Sequence, residues 1–193
     1  IEQNSVVVSQ AEFEERVTHV LATYGPPVLA ERFVHGREFH VNVIETRGGG
    51  LVVLPLAEIA YEGLREGQWP VYTFAAKWHE QSDEYRSAPV RTPVYIDPGA
   101  FAELEAIARK AFRVLGCRDL ARLDVRMGEQ GEFHILEVNP NPYLNSITLV
   151  NGLLAVGRSY ESFVVEMALM ALARGRKAVP AGIITVPEGL IKP

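Results

Sequence analysis

Two short apolar runs joined by a glycine turn constrain the fold of this chain most strongly. The runs are LARLDVRM (120–127) and EFHILEVN (132–139), and the loop between them begins at Gly128 and ends at Gly131. Strand-like runs separated by three to five residues that include glycine are typical of a β-hairpin. The sequence therefore predicts antiparallel pairing of these two runs.

Charged and amide residues interrupt the apolar pattern of this hairpin. With a four-residue loop, Asp124 faces Ile135 and Arg122 faces Glu137. Because side chains alternate between the two faces of a strand, one face then carries four polar side chains. They are Arg122, Asp124, Glu137 and Asn139. The two acids are diagonal neighbours, roughly 7–8 Å apart at the backbone. A bulge that shifted the pairing by one residue would place them on opposite faces.

Two interpretations of this polar face stay open from the residues alone. Two carboxylates and an amide at this range can hold a hard divalent cation, and Mg²⁺ is usual where phosphate supplies further ligands. Arg122 could then stabilise a phosphoryl charge. Alternatively, Arg122 and Glu137 form a cross-strand ion pair, and Asn139 caps a turn. Hairpin geometry alone favours the ion pair, because such pairs are commoner than metal sites.

Capping signals predict three helices. Ser9 and Glu12 form an S-x-x-E capping box before the first helix. Asp97 and Pro98 open the second, which Gly116 closes. The third runs from Ser159 to Gly175.

The segment before the second helix predicts an antiparallel meander and then a long loop. Strand-like runs at 28–34, 37–45 and 51–56 are joined by glycines. Residues 57–93 are polar, aromatic and poorly periodic, as in a functional or mobile loop.

Composition narrows the class of protein. The chain has 193 residues, 48% of them hydrophobic, which suits a single globular domain. A net charge of −5 without a basic block gives no reason to expect a nucleic-acid partner. No apolar run is long enough to span a membrane. The single cysteine, Cys117, excludes an internal disulfide and favours a cytoplasmic setting.

Ordered motifs along the chain resemble the ATP-grasp ligases, and especially their D-alanine–D-alanine ligase group. ARLDV followed by FHILEVNPNP resembles the family's metal-binding end. VLAERFVHGREFHV resembles its adenine-binding hinge strand, AAKW the lysine segment that follows, and GRSYESFVVEMALMALA the closing helix. The resemblance covers residues 1–175, and residues 176–193 would be a tail or linker.

The resemblance implies an α+β fold, the C-terminal ATP-grasp subdomain, with a largely antiparallel sheet flanked by helices. The family's glycine-rich phosphate loop and N-terminal domain would lie upstream of Ile1. The chain is therefore expected to be a fragment of a larger ligase, holding half of an ATP site.

The resemblance also assigns residues to the nucleotide. Glu31 would accept a hydrogen bond from the adenine amino group, and the backbone of Arg32 and Val34 would complete the nucleotide edge. Glu38 would hold the ribose hydroxyls, and Leu136 would pack against the adenine face. Without the resemblance, Glu38 would be interpreted as a solvated acid at a strand end.

Phosphate and metal contacts follow from the same resemblance. Lys77 would reach a terminal phosphate, although in isolation it would be interpreted as a solvated lysine. Asp124, Glu137 and Asn139 would ligate Mg²⁺ (or Mn²⁺), with Glu137 bridging two ions. Arg122 would stabilise the transferred phosphoryl group and the tetrahedral intermediate.

The substrate end departs from the family pattern. Many D-alanine ligases have a glycine where this chain has Tyr143. The hydroxyl that holds the substrate carboxylate would be that of Thr148 or Ser146. The resemblance therefore does not by itself imply D-alanine as the substrate.

The implied function is an ATP-dependent carboxylate–amine ligase that forms an acyl phosphate from small-molecule substrates. The chain could also form a homodimer, which the sequence does not decide. The alternatives are a non-catalytic nucleotide-binding module, or one half of a larger assembly, and a divalent-metal hydrolase that uses the same acids.

Overall fold

The computed structural model describes residues 1–144 and 146–175. These residues form a six-stranded sheet in the order β4-β3-β1-β5-β6, with β2 also paired to β1. Every strand pair is antiparallel. The strands are β1 (Gly36–Glu45), β2 (Leu51–Val53), β3 (Leu56–Ile59), β4 (Val90–Val94), β5 (Leu120–Gly128) and β6 (Phe133–Asn139). The predicted α+β fold with a largely antiparallel sheet is confirmed.

Helices flank this sheet. They are α1 (Gln10–Tyr24), α2 (Phe74–Trp78), α3 (Asp83–Ser87), α4 (Pro98–Val114), α5 (Ile147–Ala155) and α6 (Tyr160–Arg174), preceded by a 3₁₀ turn at Gln3–Ser5. None of the helices in the described part of the chain has the length and hydropathy that crossing a membrane requires. The predicted tail at 176–193 lies outside the described residues.

The apolar face of the sheet packs against α4. Leu104, Ala108 and Phe112 recur on one side of that helix and are buried. They meet alternate residues of the two central strands: Phe39, Val41, Val43, Ala121, Leu123 and Val125. Fully burying an aliphatic or aromatic side chain contributes about 1.5–3 kcal/mol. This core therefore fixes which face of β1 and β5 is left for polar residues.

A second apolar cluster closes one end of the opposite face. Leu149 and Leu153 of α5 and Phe163 of α6 are its helical members. They pack with Ile44, Leu54 and Leu120 of the sheet side. The helix α5 therefore lies beyond the last polar residues of the central strands.

The three predicted helices are confirmed at their capped ends. The Ser9 hydroxyl accepts from the Glu12 N–H at 3.3 Å, whereas the Glu12 carboxylate accepts from Val8 and not from Ser9. Asp97 accepts from two N–H groups at the start of α4. Ser159 caps α6, which ends at Gly175.

Two predictions of local structure were wrong, and one helix was missed. Residues 28–34 form no strand, because the Val34 carbonyl accepts from the side chain of Arg126, not from a neighbouring strand. Residues 57–93 are not one loop, since they contain α2, α3 and β4. The helix α5 was not predicted.

Candidate functional site

The β5–β6 hairpin pairs one residue away from the predicted register. Met127 faces Phe133, one residue later than expected. An irregularity follows at Leu136, which has no partner, and beyond it Asp124 faces Glu137 directly. The predicted pairing was therefore wrong, but the bulge returns both acids to one face, closer than as diagonal neighbours.

Strand β1 extends this polar face on the other side of β5. Directly paired residues of β1, β5 and β6 form three cross-strand rows, each named here after its β5 member. The Arg126 row is Glu38, Arg126 and His134; the Asp124 row is His40, Asp124 and Glu137; the Arg122 row is Asn42, Arg122 and Asn139. Successive rows are two residues apart, so the three extend over about 13 Å of strand.

The Asp124 row brings the two predicted metal-binding acids together. Asp124 is 5% exposed, whereas the side chain of Glu137 is 55% exposed. The guanidinium of Arg122 holds both oxygens of Asp124, at 2.7 and 2.9 Å. It lies 3.9 Å from Glu137, so its tight ion pair is with the aspartate.

Asn139 joins this group through Glu137. Its Nδ2 donates to Glu137 Oε1 at 2.9 Å, which leaves the amide oxygen as an acceptor. The described residues contain no group of three or more His, Cys, Asp or Glu that could hold a metal alone. The donor set of Asp124, Glu137 and Asn139 nevertheless fits Mg²⁺, which commonly takes one or two carboxylates and completes its shell with water and phosphate.

Two residues that the sequence analysis did not single out line these rows from β1. His40 is 5% exposed, and its Nε2 lies 3.8 Å from Asp124 Oδ2. Neither ring nitrogen has a hydrogen-bond partner among the described residues. Burial, aided by the charges of Arg122 and Lys77, lowers the pKa of His40 to about 3 and keeps the imidazole neutral. The polar alternation in REFHVNV was the signal that could have identified His40 and Asn42.

Glu38, the predicted ribose contact, is buried among protein partners. Arg126 Nη2 donates to Glu38 Oε2 at 2.9 Å. The Tyr61 hydroxyl donates to the same oxygen at 2.6 Å. Burial and the neighbouring glutamate raise the pKa of Tyr61 well above its usual range. Arg126 and Tyr61 were also missed by the sequence analysis, because their partner is distant along the chain.

Lys77 approaches the rows from α2. Its ammonium lies 5.1 Å from the centre of the Tyr72 ring. That ring is in turn 6.0 Å from the ring of His40. The lysine is exposed, so its charge lies at the open side of the Asp124 row.

The predicted adenine contacts are less closely grouped. Glu31 and Arg32 are exposed in the irregular segment 27–35. The Val34 carbonyl accepts from Arg126 Nη1 at 2.6 Å, which leaves its N–H for another partner. Leu136 is about half exposed at the bulge.

The predicted substrate hydroxyls lie next to the Arg122 row. Asn42 Nδ2 donates to Thr148 Oγ1 at 3.4 Å. The Ser146 hydroxyl lies 3.2 Å from that oxygen and also accepts from the Leu149 N–H, which caps α5. Tyr143 is exposed.

Comparisons with known proteins identify the family of this chain. Residues 4–168 match the family described as the D-ala D-ala ligase C-terminus. The chain is 31% identical over 179 residues to a D-alanine–D-alanine ligase of Alcanivorax borkumensis, covering 91% of this chain and 53% of that protein. It is 32% identical over 165 residues to D-alanine–D-alanine ligase A of Mesorhizobium japonicum, covering 85% of this chain and 44% of the relative.

Solved structures show the same fold. The D-alanine–D-alanine ligase from Coxiella burnetii has a TM-score of 0.66 at 20% identity, over 87% of this chain and 40% of that one. The ligase from Bacillus anthracis complexed with ATP has a TM-score of 0.64 at 16% identity, over 86% and 48% of the two chains. The chain spans about half the length of the curated relatives it matches.

Proposed function

The chain belongs to the D-ala D-ala ligase C-terminus family, and on that basis we propose that its polar face binds Mg·ATP for an ATP-dependent carboxylate–amine ligase. One observation supports the proposal: the three cross-strand rows bring Glu38, then Asp124 with Glu137, and then Arg122 into sequence along one face. That order matches the order of ribose, phosphates and reacting group in a nucleotide substrate.

Each row would contact a different part of the nucleotide. Glu38 would accept from the ribose hydroxyls. Asp124 and Glu137, with Asn139, would hold Mg²⁺, which when bound draws negative charge from the β- and γ-phosphates. Arg122 donates to both oxygens of Asp124. Binding of a metal ion to Asp124 would therefore free at least one of these donor groups to bind the phosphates.

The reaction needs no side-chain nucleophile. A substrate carboxylate attacks the γ-phosphorus, ADP leaves, and an acyl phosphate forms. An amine then attacks the acyl carbon, inorganic phosphate leaves, and the amine loses its proton. Arg122 and Lys77 would lower the barrier by placing positive charge where phosphoryl and oxyanion charge develops.

The acid and the amine are small molecules in this proposal, and D-alanine is the first candidate because the relatives are named for it. Thr148 lies next to the Arg122 row and is tied to Asn42. Its hydroxyl, or that of Ser146, would bind the substrate carboxylate. Tyr143 would border the acceptor amine and set the size of its pocket.

The test is ADP formation by the chain with Mg·ATP and D-alanine, beside a reaction without D-alanine. The proposal expects ADP only when both the carboxylate and the amine are present. Equal ADP release without them would identify an ATPase, and failure to bind Mg·ATP at all would overturn the proposal.

A second candidate function is binding of nucleotide and metal without ligation by these 193 residues. The share of each relative that the chain spans, about half, favours it. Calorimetric titration separates the two functions, since binding of Mg·ATP without any substrate-dependent ADP is the result expected of a binding module.

A further inference from the structure

We propose that Arg126 is a positioning residue that fixes one oxygen of Glu38 and leaves the other to accept from the ribose hydroxyls of the nucleotide. The inference rests on the proposed function and assigns a role that the motifs do not. It begins from an unusual observation, a guanidinium in the middle of a central strand with only 3% of the residue exposed.

The donors around Glu38 are distributed unevenly. Arg126 donates to Oε2 through Nη2 at 2.9 Å and through Nε at 3.3 Å. Tyr61 donates to that same oxygen at 2.6 Å. Among the described residues, none donates to Oε1. The carboxylate is therefore oriented by one oxygen, and its second oxygen can still accept from a ligand hydroxyl.

Arg126 also donates to the backbone of two other segments. Nη1 donates to the Val34 carbonyl at 2.6 Å, and Nη2 donates to the carbonyl of Pro70. The guanidinium also lies 4.7 Å from the centre of the Phe33 ring. Val34 belongs to the predicted adenine contact, so a single side chain joins the base and ribose parts of the site.

Arg126 also supplies the positive charge that is paired with the nearly buried carboxylate of Glu38. Burial of a charge is costly unless the charge is paired and hydrogen-bonded. Hydrogen bonds to ionised acceptors are also the stronger ones. A lysine cannot replace this role fully, because one ammonium cannot span two carbonyls and a carboxylate in the plane that guanidinium provides.

The test compares the dissociation constants of Mg·ATP and Mg·2′,3′-dideoxy-ATP by isothermal titration calorimetry. Loss of hydrogen bonds to a charged acceptor should weaken binding of the dideoxy nucleotide to the unmodified chain by roughly tenfold or more. In Arg126→Met the ratio of the two constants should fall to within about twofold. The ratio does not depend on the fraction of folded protein, so a purely structural defect would leave it unchanged.

Arg109→Met is the matched control. Arg109 also donates to a carbonyl, that of Leu51, and to a carboxylate, that of Glu105 at 2.7 Å, but it lies on α4, away from the polar face. This variant should keep the ratio of the unmodified chain.

Arg126→Lys keeps the proposal testable if Arg126→Met does not fold. It retains a positive charge but loses the planar set of donors, so the ratio should fall between the other two values. An unchanged ratio in folded Arg126→Met or in folded Arg126→Lys would overturn the role of Arg126 while leaving the proposed function standing. Absence of Mg·ATP binding by the unmodified chain would instead count against the proposed function.

Discussion

At the scale of single residues, the ion pair of Arg126 and Glu38 is the most enclosed charge pair of the polar face. Its side chains are 4% and 8% exposed. Removing one partner of such a pair leaves a buried charge without compensation, which costs about 3–5 kcal/mol. We therefore expect Arg126→Met to lower the free energy of unfolding by that amount, as measured by urea denaturation.

The ion pair of Arg37 and Glu58 provides the control for this loss. It has comparable distances but side chains that are 40% and 17% exposed, so Arg37→Met should cost about 1 kcal/mol or less. Replacing Glu38 as well as Arg126 by methionine should recover part of the stability. If Arg126→Met and Arg37→Met lowered the free energy of unfolding equally, burial of the Arg126–Glu38 pair would not be the cause of the loss.

Tyr61 should make the chain sensitive to alkaline pH. Its folded pKa is raised by burial and by Glu38, so the unfolded chain loses this proton first, near pH 10. The stabilisation is fully present below pH 10 and is lost above it, by about 1.4 kcal/mol per pH unit. Urea denaturation between pH 9 and 11 should show that the free energy of unfolding declines less steeply in Tyr61→Phe than in the unmodified chain. Equal declines in the two proteins would contradict the raised pKa of a buried Tyr61.

Individual residues also show what the sequence could reveal. Asp124, Glu137 and Asn139 lie on one face as predicted, but the predicted register was wrong. The bulge at Leu136, which local pattern did not predict, brings the two acids opposite each other. Glu38 and Arg126 are 88 residues apart, and neither local period nor spacing pairs them. Their ion pair follows only from the register of β1 against β5.

At the scale of elements, the bulge in β6 decides which face Glu137 occupies. Leu136 has no partner in the hairpin, so its deletion should leave Glu137 opposite Asp124. Deletion of Val138 should instead turn Asn139 toward the apolar core, where Val138 now packs.

These two deletions form a matched pair. We expect the variant without Val138 to be about 2–4 kcal/mol less stable than the variant without Leu136, from the lost apolar contact and a buried amide. Chemical denaturation of both variants measures the difference. If the variant without Leu136 were less stable than the variant without Val138, the described register would be contradicted.

The elements differ in how far local sequence specifies them. The helices α1, α4 and α6 were predicted from their capping residues, whereas α5 was missed although Ser146 caps it. The helix α5 is rich in β-branched residues and contains Gly152, which weakens the helical signal; burial of Leu149 and Leu153 compensates. Segment 28–34 has strand-like letters but no neighbouring strand, and strand propensity depends on such a neighbour.

At the scale of the whole molecule, the two faces of the sheet have different roles. One face packs on α4 and carries the apolar core, and the opposite face carries the three cross-strand rows. The separation follows from the alternation of apolar and polar residues in β1 and β5. The fold class and the roles of the site residues were instead predicted from the resemblance to the ligase family. The contacts from α2 and from α5 depend on tertiary packing and were beyond the reach of local pattern.

The proposed function requires a magnesium ion held at the Asp124 row. Glu137 is the appropriate residue to change, because its exposure allows substitution without disturbing the core. Glu129→Gln, in the exposed turn of the same hairpin, removes an equal charge and is the control.

The decisive measurement is the calorimetric affinity of the chain for ATP with and without Mg²⁺. Magnesium should strengthen ATP binding by about tenfold or more in the unmodified chain and in Glu129→Gln, and should have little effect in Glu137→Gln. If magnesium strengthened ATP binding by Glu137→Gln as much as by the unmodified chain, the proposed magnesium site at the Asp124 row would be contradicted.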